Sequence, residues 1–429
     1  MAKVIVNPGS SLKGSVCVPG DKSLTHRAML LGSLAKGTSN FSQWLISHDT
    51  LATRDCLMSL GVPIESNSGI LHVQGKEYKK PLHTLDAKGS GTTMRLLMGL
   101  LCCQNFSSIL DGNEQLRHRP MDRVVLPLQL MGAKIESQKG YAPLRIQPSE
   151  LHGINYTMPV ASAQVKSALI LAGLFAKGVT CIEEKEDTRD HTERMLMEMG
   201  AKIRKEKNII KIEPCLPLSP INMDIPGDFS SAAFLLTAGI VVEGSEIIIQ
   251  KTDTNFTRTG LLDALCRMGA GIELQVAKSD AIEPISDLHV CSQALQGITI
   301  PKDFVPRMID EFPIFMIAAL KAQGVTIVRN ATELRVKESD RISVMTHELK
   351  KMGARIEEAP DGFSLQGPQN LHGCELESHK DHRVAMSLIM AALIAKGPSI
   401  IHGIECIDDS FPGYISMLKS MGANLCRED

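Results

Sequence analysis

One phrase recurs six times in this 429-residue chain, and it constrains the fold more than any composition does. It reads Leu, two residues, Met or Leu, Gly, a short spacer, then Ile or Leu. It appears as LMSLGVPI at Gly61, LQLMGAKI at Gly132, LMEMGAKI at Gly200, LCRMGAGI at Gly269, LKKMGARI at Gly353 and LKSMGANL at Gly422. The period is about 70 residues, too long for a solenoid turn and right for a small α/β unit. Each phrase predicts an amphipathic helix that stops at a glycine in the left-handed conformation, with a strand directly after it. Upstream of each lies a second apolar helix: AMLLGSLAKG, LLMGLLCCQN, ALILAGLFAKG, AFLLTAGIVVEG, PIFMIAALKAQG and AMSLIMAALIAKG. Five of these close on Gly and the second on Asn105, so a left-handed cap is expected at each. The Leu and Met stripes are core packing. That leaves the polar residues at the starts of the upstream helices to carry any chemistry, and packing around a pseudo-symmetry axis would make those starts converge.

The first start is Pro19-Gly20-Asp21-Lys22-Ser23-Leu24-Thr25-His26-Arg27. Pro and Gly break the chain, Asp21 or Ser23 caps a helix, and the N–H groups of its first turn favour an anion. Lys22 and Arg27 fall on the first two turns and can reach the same anion, one as a point charge and the other as a fork. Pro226-Gly227-Asp228-Phe229-Ser230 repeats the phrase without Lys or Arg. The chain is therefore doubled, three units before the second phrase and three after, with the cations kept in one copy.

Charge is nearly balanced, 46 basic residues against 48 acidic, which excludes a protein whose whole body works as a polycation on nucleic acid or a membrane surface. An anion site must be local. Eleven cysteines contain no CxxC pair, so neither a zinc site nor a thioredoxin-like motif is indicated and reduced, cytosolic thiols are expected. The opening MAKVIVNPGS has no secretory pattern, and the apolar runs are too interrupted to span a bilayer. A cytoplasmic enzyme or binding protein is expected.

The second start, Gly89-Ser90-Gly91-Thr92-Thr93-Met94-Arg95, lets backbone approach a ligand and offers hydroxyls to an oxyanion. Arg117-His118-Arg119-Pro120 is a basic loop, which alone would read as a solvated charge run. Ser162-Ala163-Gln164-Val165-Lys166-Ser167 forms the third start, with Thr188-Arg189-Asp190-His191 further on. The second half supplies acids: Asp310 and Glu311, then Lys337, Glu338, Asp340 and Arg341, then Lys380, Asp381, His382 and Arg383. His379 and His382 stand three apart without a third ligand, so no metal site is assigned. Cations facing a few carboxyl groups suit acid/base chemistry on polyanionic substrates.

PGDKSLTHRA, GSGTTMR, RPM, SAQVKSA, RVKESDR and KDHRVAM, in this order and at these separations, resemble the 5-enolpyruvylshikimate 3-phosphate synthase family over essentially the whole chain. The resemblance implies an α/β, two-domain, inverse α/β barrel-like enolpyruvyl transferase fold of six βαβαββ repeats, three per domain, that closes like a hinge. The domains would be 21–226 and 1–20 plus 227–429, the first mostly on the shikimate 3-phosphate side, the second on the acid/base and phosphoenolpyruvate side. It implies transfer of the enolpyruvyl group of phosphoenolpyruvate to the 5-hydroxyl of shikimate 3-phosphate, through a tetrahedral ketal, with release of phosphate. This is a step of chorismate and aromatic amino acid biosynthesis and uses no metal or organic cofactor. A monomer is implied, with glyphosate as an inhibitor competing with phosphoenolpyruvate.

Carried over by position, the resemblance places Lys22, Ser23, Arg27, Ser162, Ala163, Gln164, Arg189, Asp310 and Lys337 on shikimate 3-phosphate. It places Lys22, Gly91, Arg119, Gln164, Arg341 and Arg383 on phosphoenolpyruvate. Asp310 is the expected proton acceptor and Glu338 the expected donor to carbon, its carboxyl shielded from water and so able to donate near neutrality. Lys22 completes the catalytic set. The sequence departs from the family pattern at Gly89, where many members have Asn, and at Glu333, where some do. Asp409 and Ser410 precede Phe411-Pro412 where some members have a Lys, so no cation is assigned from that segment.

Two other readings compete. The sister transferase acting on UDP-N-acetylglucosamine carries a Lys-Asn pair at the first start and a reactive Cys in its mobile loop; here the pair is Lys22-Ser23, and Asp111 to Pro120 contains no Cys. A non-catalytic repeat scaffold would not confine its acids and arginines to helix starts, and a net charge of −2 gives it no basic stripe.

Overall fold

The computed structural model describes residues 2–278 and 281–429, the side chains of 277 and 278 excepted. It divides into two compact units, Gly20–Ile225 and Met1–Pro19 with Pro226–Asp429. Each unit contains three copies of one sheet pattern. A leading strand runs parallel to the strand that follows the upstream helix, and two antiparallel strands complete the row. In the second copy Leu85–Asp86 pairs in parallel with Ser108–Asp111, which pairs antiparallel with Tyr141–Gln147, itself beside Lys134–Gln138. The third copy repeats the order with Asn155–Thr157, Thr180–Glu183, Ile209–Ile212 and Ile203–Glu206.

Remote segments complete three of the sheets. The first copy takes its leading strand, Asn222–Asp224, from the far end of its own unit, where it lies parallel to Thr38–Ser42. In the other unit Lys13–Cys17 leads the fourth copy beside Glu246–Asp253, and Lys3–Asn7 is inserted between Ser399–His402 and Asn424–Glu428 in the sixth. The fifth copy keeps only bridges, Gln296 to Gln323 and Thr299 to Ile327, in place of a leading strand.

All six phrase glycines take positive φ, from 79° at Gly200 to 105° at Gly422, and a strand follows each. The expectation for the upstream helices is corrected. Gly37 follows a helix that ends at Gly32, and Gly244 one that ends at Val241. These glycines have positive φ, but at the turn into the next strand rather than as helix caps. Asn105 does not adopt the left-handed conformation at all. The helix Gly91–Leu101 unwinds through short bonds, Cys103 N–H to Leu100 O and Gln104 N–H to Leu101 O, which satisfy its last carbonyls without a left-handed residue.

The upstream helices form the interior of each unit. Every residue of Phe229–Val241 and of His382–Leu393 is buried, as an all-round apolar helix requires. In the Gly20–Ile225 unit Gly91–Leu101 meets Ala163–Gly173 backbone to backbone: a Cβ on Gly99 would stand 2.3 Å from the Ala168 carbonyl oxygen. Helices packed this closely bring their polar first turns together, which positions the site. Among the described residues no helix is long and apolar enough to cross a membrane.

Candidate active site

Each inner helix start is built from a local cap. Asp21 accepts from Leu24 N–H at 2.7 Å, Ser90 from Thr93 N–H at 3.2 Å and Ser162 from Val165 N–H at 3.4 Å, leaving Lys22, Gly91 and Ala163 as first helical residues. Side chains then join the three starts. Lys22 Nζ lies 3.2 Å from Asp49 Oδ2, and the Thr93 hydroxyl reaches the Asp49 carbonyl at 3.4 Å. Gln164 Oε1 accepts from Arg95 Nη1 at 2.7 Å, and its Nε2 donates to Thr92 Oγ1 at 3.0 Å. Arg27 is buried; its Nη1 donates to the Ser23 carbonyl at 3.0 Å, its Nε to Thr192 Oγ1 at 2.7 Å and its Nη2 to Ser167 Oγ at 2.8 Å.

Two guanidinium groups converge at Gly91. A Cβ there would stand 2.9 Å from Nη1 of both Arg119 and Arg95. A helix N-terminus facing two guanidinium groups is a place for an anion. Arg119 arrives on the loop after the short helix Glu114–Arg117, and Arg189 on the loop after Thr180–Glu183. His26, under Lys22, is fully buried with Nδ1 2.7 Å from Thr53 Oγ1. Burial first, then the charges of Lys22 and Arg27, hold its pKa well below the usual value, so the imidazole stays neutral near pH 7 and adds no third cation.

The other unit gathers the acids. Asp310 is ringed by cations: Arg341 Nη1 at 3.2 Å and Lys337 Nζ at 3.3 Å from Oδ1, and Arg383 Nη2 at 3.9 Å from Oδ2. Arg341 is the hub. Its Nη2 donates to Glu338 Oε2 at 2.7 Å, and its Nε to Asp381 Oδ2 at 2.9 Å. Burial alone would lower its pKa, but the carboxylates of Asp381, Glu338 and Asp310 outweigh burial and raise it, so the guanidinium is permanently charged. Asp381 is fully buried; burial would raise its pKa, and Arg341 reverses the direction. It also caps His382–Leu393 through Arg383 N–H at 2.9 Å, which fixes Arg383 on the first turn. Glu311 lies 3.8 Å from Arg383 and accepts from Ser230, the residue two past the second Pro-Gly-Asp cap.

One expectation changes. Glu338 is not shielded: a quarter of its side chain is exposed, and Oε2 is taken by Arg341. His379, to which no role was assigned, bonds Glu348 at 2.9 Å in a cluster with Lys351. Arg95, Glu311 and Asp381 stand at helix starts in the sequence, but nothing there gives them partners. Asp49, Ser167 and Thr192 become site residues only through helix adjacency.

The EPSP synthase model, described as 3-phosphoshikimate 1-carboxyvinyltransferase, matches residues 6–418. The chain belongs to the EPSP synthase family. A relative named 3-phosphoshikimate 1-carboxyvinyltransferase from Citrifermentans bemidjiense is 45% identical over 426 residues, 98% of this chain and 99% of that one. Another of the same name from Alkalilimnicola ehrlichii is 46% identical over 430 residues, 99% of this chain and 96% of that one. Among solved structures, EPSP synthase from Acinetobacter baumannii superposes with a TM-score of 0.89 at 41% identity, covering all of both chains. The two-unit α/β architecture is thus that of EPSP synthases, and the family is one of transferases in aromatic amino acid biosynthesis.

Proposed function

We propose that this chain transfers the enolpyruvyl group of phosphoenolpyruvate to the 5-hydroxyl of shikimate 3-phosphate, releasing phosphate. The carrying observation is the Asp310 carboxylate held by Lys337, Arg341 and Arg383, an acid set among cations suited to an anionic substrate. In the Gly20–Ile225 unit, Lys22, Ser23, Arg27, Ser162, Ala163, Gln164 and Arg189 bind shikimate 3-phosphate. Gly91, Arg119 and Gln164 hold phosphoenolpyruvate there, with Lys22 shared. In the other unit Arg341 and Arg383 take its carboxylate, and Lys337 supports the shikimate ring.

Asp310 accepts the proton of the 5-hydroxyl as that oxygen attacks C2 of phosphoenolpyruvate, and Glu338 delivers a proton to the methylene carbon C3. Glu338, left as carboxylate by that step, then takes a C3 proton back while phosphate leaves the ketal with the proton held by Asp310, which returns both acids to their starting states. Each proton transfer typically contributes about 10² to 10⁴ in rate. Arg341 Nη2 holds Glu338 Oε2 at 2.7 Å, which keeps this carboxyl beside the arginines assigned to the substrate carboxylate. On the same reading glyphosate competes at the phosphoenolpyruvate residues, and the enzyme works as a cytoplasmic monomer.

The sugar-nucleotide reading requires a reactive thiol. The stretch Asp111 to Pro120, where that thiol would stand, holds no Cys. The test is phosphate release from phosphoenolpyruvate by the purified protein without added metal, offered shikimate 3-phosphate or UDP-N-acetylglucosamine. Release with shikimate 3-phosphate alone is expected; release with the sugar nucleotide alone moves the chain to the sister reaction, and silence with both to a scaffold.

A further inference from the structure

Beneath the shikimate-phosphate residues lies a charged group that this reaction does not use. Lys166, fourth residue of the helix Ala163–Gly173, is 0% exposed. Its Nζ lies 2.7 Å from Glu193 Oε1 and 3.0 Å from Glu184 Oε1, and donates to the Thr188 carbonyl at 3.2 Å. An apolar side chain of similar size would fill the same volume without the cost of removing an ammonium group from water, so the stability of the core does not explain it.

Its anchors do. Ser167 follows Lys166 and Thr192 precedes Glu193, and their hydroxyls, 2.7 Å apart, accept the Nη2 and Nε bonds of Arg27. Thr188 precedes Arg189. The helix that carries Thr192, His191–Glu198, is entered at Asp190, whose carboxylate accepts from Arg194 Nε at 3.0 Å and makes no capping bond to the first-turn N–H groups. The Lys166–Glu193 pair, inside that turn, ties it to Ala163–Gly173. Glu184 holds the intervening loop by accepting Thr188 N–H at 3.2 Å.

We propose that Lys166 is a positioning residue for recognition of the substrate's phosphate: through Thr192 and Ser167 it aims the Arg27 fork, and through Thr188 it places Arg189. This rests on the assignment of both arginines to shikimate 3-phosphate. A guanidinium fork binds phosphate through paired, directional bonds, and a rotated fork loses one of them. Loss of Lys166 therefore weakens binding of the phosphate-bearing substrate and leaves phosphoenolpyruvate binding and the chemical step alone.

The experiment compares full-length wild type with Lys166→Met, Lys166→Arg, Lys166→Met/Glu193→Gln and Thr192→Val, using shikimate 3-phosphate, unphosphorylated shikimate and phosphoenolpyruvate, with melting temperature recorded. Lys166→Met and Thr192→Val are expected to raise KM for shikimate 3-phosphate about tenfold or more, since one charged hydrogen bond is worth about 1.5–3 kcal/mol. Affinity for shikimate and KM for phosphoenolpyruvate should stay within about twofold, so discrimination between the two shikimates shrinks, and Lys166→Arg should restore part of it. Thr192→Val removes one hydroxyl and no charge, so it decides the matter where Lys166→Met fails to fold. Equal weakening of both shikimates, or a lower melting temperature with unchanged KM, would overturn the proposal. A wild type with no preference for the phosphorylated substrate would overturn the arginine assignment itself, and that is read before any variant.

Discussion

The two Pro-Gly-Asp junctions solve one backbone problem and then diverge. At Pro19-Gly20-Asp21 and Pro226-Gly227-Asp228 the aspartate caps an inner helix, accepting from Leu24 N–H and Ser230 N–H, each at 2.7 Å. After the first cap come Lys22 and Ser23, both partly exposed, and then the buried Arg27. After the second come Phe229, Ser230, Ser231, Ala232 and Ala233, all buried. Asp228 and Ser230 there accept from the buried Arg258, at 2.8 and 2.9 Å. Ser230 passes the connection to Glu311, beside Arg383. A capped helix start is thus a neutral platform: the residues of its first two turns decide whether it meets a ligand or braces a neighbouring network.

Substitutions can break this contrast, and the largest effect belongs to the network braced by the second junction. Asp310→Asn, and Glu338→Gln beside it, should lower turnover by about 10²-fold or more while shikimate 3-phosphate still binds, checked by steady-state kinetics with a separate binding titration. Loss of binding instead would make these acids structural. Next is Phe234, which occupies the place of Arg27 in the second copy, is buried and packs edge-on against Tyr414 with ring centroids 6.1 Å apart. Phe234→Ala should cost about 3–5 kcal/mol in denaturant unfolding, with KM for both substrates unchanged in the protein that remains folded. Arg27→Met, the same position in the first copy, should do the reverse, raising KM for shikimate 3-phosphate by about 10²-fold through loss of a charge-assisted pair.

The smallest expected effect is the pH dependence from His26. Its folded pKa lies below the unfolded value of about 6.5, so the unfolded chain binds the proton first as pH falls. The contribution to stability is complete above about pH 6.5 and is lost as the pH falls from there toward the folded pKa. Between pH 7 and 5 the loss should reach at most about 2 kcal/mol, since one unit is worth about 1.4 kcal/mol. His26→Gln should flatten this part of the unfolding profile, and an unchanged slope would place the pH sensitivity elsewhere.

Local rules determined much of this protein from its sequence. The six phrase glycines had to take positive φ, the apolar stripes had to be buried, and the polar residues left over had to lie at helix starts, because helical period and glycine conformation act within a few residues. The ordered motifs at those starts also made the family legible. Tertiary structure decided the partners. Arg27 meets Ser167 and Thr192 across 140 and 165 residues of chain, and Asp381 reaches Arg341 across 40. Lys3–Asn7 and Lys13–Cys17 complete sheets whose other strands lie more than two hundred residues away. Even the short range misled at Asn105, where the helix end found hydrogen bonds of its own. No periodicity encodes which helix lies beside which; that follows from packing the inner helices against one another, and it turns a row of capped starts into two charged clusters.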